Sequence, residues 1–525
     1  MDLARAEQAA FDASVKQVDA FMKQKRFEFT HRPYDAKTVV SLRGPLVSVP
    51  ASNFTAQKLY GLCRERFQKK SYTHTFGCLD PVQVAQMAKY LECIYVSGWQ
   101  CSSTASTSNE PGPDFADYPA NTVPNKVDQL FKAQLFHSRR QQEERSHMTL
   151  EEKAKNQPID FLRPIIADGD TGFGGMTSVM KLVKMHVESG AAGVHLEDQK
   201  PGAKKCGHMG GKVLVPIREQ VDRMTAARLQ CDILGTETVL ISRTDAESAT
   251  FIENTIDTRD HPFIGGTTNP NIGSLEDAAD KDKWMAEANI CRYSNAVADA
   301  MKAAGKSQAD IDSWMTQSMK LSNPDARKLA EKLGFGGVFW DWHAPRSREG
   351  YYKVVGGIDY SIVRAIAFSP VSDLIWMETG VPSVHECEVF SKGVHSVVPH
   401  QMLAYNLSPS FNWDAAGMDD AAIQRFQSDI GRLGFTWQFI TLCGFHSNAL
   451  IIDQIAKAYA GPKGVFAYVE MIQREERRLG IETLTHQKWS GAGYCDTLMQ
   501  VATGGQSSTS SLAGATEDQF AKSKL

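Results

Sequence analysis

The 525-residue chain has no surplus of basic charge: 57 Lys and Arg face 61 Asp and Glu, a formal net charge of -4. That leaves no electrostatic footprint for nucleic acid and no polybasic surface for a membrane, so an anionic ligand would need a locally positive pocket. No apolar run approaches the roughly 18 residues of a membrane span. Ten cysteines are present, never as Cys-x-x-Cys pairs, and no His-Glu-x-x-His motif occurs. Reduced thiols of an intracellular protein fit this better than a disulfide framework or a zinc site. The N-terminus lacks a signal-peptide core, and Asp2, Glu7 and Asp12 make it too acidic for a mitochondrial presequence.

What is present begins with a repeated pattern. Short apolar runs ending in polar or glycine residues occur at 73–79, 94–99, 164–170, 192–198, 239–245, 374–378, 402–408 and 438–441. Each suits a buried parallel strand, and helical stretches lie between many of them. Eight such units feed either a (β/α)8 barrel, whose functional groups collect where the strands end, or an open doubly wound sheet. Two intervals exceed a plain strand-helix repeat. A Ser/Thr/Pro/Gly-rich loop follows Trp99, and about 130 residues separate Asp245 from Leu374, with amphipathic stretches at 276–304 and 308–333. The region to about Tyr72 reads as largely helical, and the Gly/Ser/Thr-rich tail from Ala502 reads as flexible.

Several residue groups carry chemistry. In Lys204-Lys205-Cys206-Gly207-His208 a thiol stands between cationic or potentially cationic side chains, the setting expected to make a cysteine acidic. Asp168-Gly169-Asp170 ends one strand run, Glu197 and Asp198 end the next, and Asp114 lies in the long loop. Carboxylates with neighbouring glycines suit a hard cation such as Mg2+. A phosphate loop is the competing reading, but no Gly-Lys-Ser/Thr follows. Arg243, Asn406, Ser408, Ser410 and Thr441 recur at strand ends. Together they match a ligand with several carboxylates; singly, each also reads as a cap or structural ion pair. His195 and His446 read first as structural histidines.

The segments Ser97-Gly98-Trp99-Gln100, His195-Leu196-Glu197-Asp198-Gln199, the run AKKCGHMGGKVLVP from Ala203, Ile375-Trp376-Met377-Glu378-Thr379-Gly380 and Tyr405-Asn406-Leu407-Ser408-Pro409-Ser410-Phe411-Asn412-Trp413 closely resemble the isocitrate lyase family in its long eukaryotic, fungal-type form. The resemblance spans nearly the whole chain. It implies a (β/α)8 barrel over 73–265 and 355–480, a helical N-terminal region over 1–72, a helical insertion over 266–354 and a C-terminal lid and tail over 481–525. It also implies Mg2+-dependent, reversible cleavage of isocitrate to succinate and glyoxylate, with Mn2+ as a substitute metal, in a homotetramer. Asp168 would contact the metal directly, and Asp114, Asp170 and Glu197 would hold its waters; Asp170 stands where many relatives have glutamate.

By the same resemblance, Cys206, His208, Arg243 and Glu378 are the catalytic candidates. Ser97, Gly98, Trp99, Gly207, His208, Arg243, Asn406, Leu407, Ser408, Pro409, Ser410 and Thr441 are the substrate contacts. His195 and His446 match positions near the site. Rival readings are 2-methylisocitrate lyase, forming succinate and pyruvate, and a non-catalytic barrel scaffold. Ser523-Lys524-Leu525 is the tripeptide that a peroxisomal import receptor reads, so the matrix of the peroxisome or glyoxysome is the expected location, with a cytoplasmic fraction.

Overall fold

Each of the eight apolar runs forms a strand whose residues are almost all buried, as expected where helices cover one face and a core fills the other. In this computed structural model, which describes residues 1–104 and 110–522, they are β1 (Thr73–Phe76), β2 (Ile94–Val96), β3 (Ile165–Asp168), β4 (Gly193–Glu197), β5 (Val239–Thr244), β6 (Leu374–Met377), β7 (Met402–Asn406) and β8 (Phe435–Ile440). They form one sheet in the order β1-β8-β7-β6-β5-β4-β3-β2. Every pairing is parallel. A parallel bridge between Gly77 and Tyr95 joins the two ends, so the sheet closes into a barrel and the open doubly wound alternative falls.

The barrel interior is packed, not hollow. Tyr95, Trp376, Trp437 and Phe439 fill it, with the Trp437 and Phe439 rings stacked at 4.0 Å. Ala56, Leu59 and Cys63 of the helix Ser52–Gln68 join the same cluster alongside the strand-start residues Val239, Leu374 and Met402. With the N-terminal end of the barrel plugged, the opposite end is left for the polar residues. β8 starts earlier than the apolar pattern indicated, because Thr436 and Gln438 interrupt the run. Both are fully buried, and Gln438 Nε2 is satisfied by the carbonyls of Gln427 at 2.8 Å and Phe435 at 3.0 Å.

The chain divides into two compact units: 1–77, 92–128 and 164–441 form one, and 78–91, 129–163 and 442 onward form the other. All eight strands belong to the first. These limits do not follow the boundaries read from sequence, since 78–91, 129–163 and 442–480 group with the C-terminal segment. The insertion is not purely helical. Ile290–Arg292 pairs antiparallel with Gly265–Thr267, which breaks the stretch 276–304 into the helices Lys281–Glu287 and Tyr293–Ala303. Gly266 is needed there, because a Cβ would lie 2.5 Å from the Trp340 indole. The Gly/Ser/Thr-rich tail carries hydrogen bonds and a short helix that its composition did not indicate. Asp496 accepts the backbone N–H of Ser511 at 2.8 Å and of Leu512 at 3.2 Å, and Asp518–Lys522 is helical.

Candidate active site

The strand ends bring the carboxylates together. Oxygens of Asp114, Asp168 and Asp170 all lie within 4.8 Å of one another. Asp168, the last residue of β3, accepts the backbone N–H of Gly98 at 2.9 Å and of Asp170 at 2.9 Å. Asp170 sits at φ 48°, a conformation uncommon for a residue with a Cβ, and its carboxyl also takes the Tyr118 hydroxyl. Into this group reaches Lys204, whose Nζ is 2.5 Å from Asp114 and 2.8 Å from Asp170. Glu197, at the end of β4, lies 3.9 Å from the same ammonium.

Charge in this cluster is out of balance. Burial works against the Asp168 carboxylate, yet His195, Lys204 and the two N–H groups hold it down at about 2. Burial also pushes His195 down to about 4, so its ring is neutral near pH 7 and Lys204 supplies the standing positive charge. For Asp170, burial with the charges of Asp114 and Asp168 outweighs Lys204 and pushes the carboxyl up to about 8. Glu197 is raised as well, by burial above all, and among the described residues neither of its oxygens receives a hydrogen bond of good geometry. An all-oxygen set of carboxyl groups, two of them raised because burial and neighbouring carboxylates outweigh the available positive charge, fits a hard divalent cation.

Arg243 on β5 is the second centre. Its guanidinium approaches Glu197 at 3.1 Å, Asp245 at 3.0 Å and Glu378 at 3.6 Å, and lies over the Trp376 ring at 4.6 Å. Asn406 Nδ2 donates to Glu378 Oε1 at 3.2 Å, and the Thr441 hydroxyl donates to Asn406 Oδ1. His208 Nε2 stands 3.2 Å from Glu378 and its Nδ1 3.4 Å from the Ser408 hydroxyl. Ser97 and Gly98 are buried just beyond β2, and Trp99 is half-buried. Leu407 is packed into the apolar layer outside the barrel, Pro409 is half-buried and Ser410 is exposed. His446 is exposed and belongs to the other unit.

Cys206 corrects one expectation. Its thiol is raised, not lowered: burial is the main cause, and Lys204, the His208 backbone N–H and Arg243 offset it only in part. The flanking lysines are committed elsewhere, Lys204 to the aspartates and Lys205 over the Phe115 ring at 5.0 Å. A neutral thiol is therefore the resting form.

The model of the isocitrate lyase family matches residues 14–520. The chain belongs to this family. It is 52% identical to isocitrate lyase of Pinus taeda over 98% of this chain and 93% of that protein. It is 45% identical to isocitrate lyase of Saccharomyces cerevisiae over 98% of this chain and 96% of that protein. A mitochondrial 2-methylisocitrate lyase of Hypocrea atroviridis is 44% identical over 98% of this chain and 95% of that protein.

In this member of the isocitrate lyase family, sequence reading missed Tyr118, Lys212, Asp245 and the target of Lys204. Lys212 Nζ donates to the Gly207 carbonyl at 2.7 Å and to Asp245 at 3.1 Å. The one signal available was position: Lys212 closes the Gly-Gly-Lys that follows the cysteine motif, and Asp245 ends a strand run. Gly207 is sterically required, since an added Cβ would lie 2.5 Å from Arg243 Nη2 and 2.8 Å from the Glu378 carboxyl carbon. Gly207→Ala is expected to lower kcat/KM by roughly 100-fold through displacement of these two groups, as misplacement by about 1 Å does elsewhere. Steady-state kinetics beside a thermal melt checks it; full activity would show that the loop yields freely.

Proposed function

We propose that this chain catalyses the reversible cleavage of isocitrate to succinate and glyoxylate, using Mg2+, for which Mn2+ can substitute. The observation that carries this reading is the convergence on one barrel mouth of a carboxylate cluster, the Arg243 centre and the Cys206-Gly207-His208 segment. Full-length relatives named isocitrate lyase at 45 and 52% identity support it.

Asp168 would hold the cation directly, with Asp114, Asp170 and Glu197 around it. A cation held there would supply Lewis-acid polarisation of the glyoxylate oxygens. Arg243 offers positive charge where the substrate carboxylates and the developing enediolate lie, and Glu378 with Asn406 fixes its orientation. Cys206, neutral at rest, gives its Sγ proton to the succinate carbon in cleavage and recovers it in condensation. Ser97, Gly98, Trp99, Ser408 and Thr441 orient the substrate.

The competing substrate is 2-methylisocitrate, given the Hypocrea relative. One methyl group is worth only about 1–3 kcal/mol of discrimination. Purified protein assayed on both substrates, with and without Mg2+, decides. Preferential release of pyruvate from 2-methylisocitrate would overturn the reading, and no release of glyoxylate from isocitrate would leave a scaffold.

A homotetramer is proposed in line with the family. The helix Cys443–Ala460 leaves Leu450, Ile452 and Tyr459 more than half exposed, an apolar surface that other subunits would cover. A monomeric mass in solution would sink this. Peroxisomal import is proposed from Ser523-Lys524-Leu525, which lies outside the described residues. Deleting these three residues is expected to abolish import and leave turnover intact. Ending the chain before Gly504 is expected to depress turnover as well, through loss of a segment that shields the intermediate from water. Full turnover in the longer truncation would reduce the tail to a targeting linker.

A further inference from the structure

We propose that Arg364, outside every group named above, is a positioning residue that sets the cysteine segment through a buried hydrogen-bonded chain. Arg364 lies on the helix Ile358–Phe368, between the insertion and β6, and is fully buried. Nη1 donates to Asp198 at 3.0 Å. Nη2 donates to Asp260 at 2.8 Å, to the Tyr360 hydroxyl at 2.9 Å and to the Val215 carbonyl at 2.9 Å. Tyr360 in turn donates to Asp260 at 2.6 Å and stacks on Phe263 at 4.2 Å. Asp260 also receives the Ile217 backbone N–H at 3.0 Å. One guanidinium thus ties the base of the insertion to the end of β4.

From Asp198 the chain runs toward the site. Asp198 accepts the Thr244 hydroxyl at 2.7 Å and the Asp245 backbone N–H at 2.9 Å, which fixes the turn after β5. The Asp245 carboxylate then collects Arg243 Nη2 at 3.0 Å, Lys212 Nζ at 3.1 Å and Gln199 Nε2 at 3.1 Å. Two of these partners grip the backbone on either side of Cys206. Gln199 exchanges hydrogen bonds with the Lys205 N–H and carbonyl, both at 2.9 Å, and Lys212 donates to the Gly207 carbonyl. The thiol is held from both flanks by groups whose common anchor is Asp245, and Asp245 is aimed by Asp198.

Asp198 and Asp260 are both fully buried, and Arg364 is the cation that both contact. Lysine could neutralise one of them, but its single ammonium lacks the fork that reaches both and the Val215 carbonyl together. The consequence is directional: disturbing Arg364 loosens the turn at Asp245 first, and the segment around Cys206 with it.

The inference rests on the lyase reading, so two readouts are used, one of which needs no substrate. Arg364→Lys is expected to lower kcat by about 10- to 100-fold with a smaller change in KM, the pattern of a misaligned reacting group. In the same protein without substrate, iodoacetamide should alkylate Cys206 faster than in wild type, relative to the exposed Cys495 as internal reference. Thr244→Val, which deletes one hydroxyl on the path, should shift both readouts the same way by a smaller factor, and it decides the matter if Arg364→Lys does not fold. A folded Arg364→Lys protein with wild-type kcat and a wild-type Cys206 to Cys495 ratio would overturn the proposal. So would a Thr244→Val protein that changes only its melting temperature. If wild type itself fails to cleave isocitrate, the lyase reading fails while the alkylation ratio still tests Arg364.

Discussion

Cys206→Ser is expected to fold, to bind a divalent cation as wild type does, and to lose turnover by about 100- to 10,000-fold, the range of a lost general acid-base group. The thiol is raised by burial and therefore sits protonated, which is the form a proton donor to the succinate carbon requires. Serine keeps the shape and puts an O–H in place of the S–H but is far too weak an acid to serve, and its conjugate base would be inaccessible for the reverse condensation. The loss should appear in kcat in both directions, because one group takes both roles by microscopic reversibility. Solvent-exchange measurements on succinate supply an independent check: wild type should wash deuterium into the reacting methylene and Cys206→Ser should not. Turnover within a few-fold of wild type would remove Cys206 from the reaction.

The barrel was legible because parallel strands buried on both faces appear as unbroken apolar runs, and all eight runs became strands. It failed only at the start of β8, where Thr436 and Gln438 are buried polar residues whose partners no local pattern announces. The cysteine segment was legible as a site, but its chemistry was read with the wrong sign. Local spacing placed two lysines beside a thiol, whereas folding sends Lys204 to Asp114, 90 positions away in the chain. The same limit hid Tyr118, Lys212, Asp245 and Arg364. Each meets a partner tens of positions or more away in the chain, and such a contact leaves no periodicity behind. The division into two units was hidden as well, since the chain leaves the strand-bearing unit at 78 and 129 without any shift in composition.

Asp168→Asn should be the most damaging change at the cation site, because the fold holds the Asp168 carboxyl below the ordinary range in spite of its burial. Gly98 and Asp170 aim their N–H groups at its two oxygens, and Tyr95 approaches one of them at 3.3 Å. Asparagine preserves the volume but carries no charge and offers one acceptor oxygen, so one of these donors, or the cation, must go without. Asp170 and Glu197 cannot replace it, since burial favours their neutral forms. Even groups that only orient metal ligands cost about 10- to 100-fold in metal affinity when lost, and a direct ligand should cost no less. Calorimetric titration with Mg2+ and with Mn2+ should show that weakening in a protein with a wild-type melting profile. Turnover should fall in parallel and recover partly at high metal concentration. Unchanged Mg2+ affinity in Asp168→Asn would move the cation elsewhere and leave this cluster as a buried ion network around Lys204.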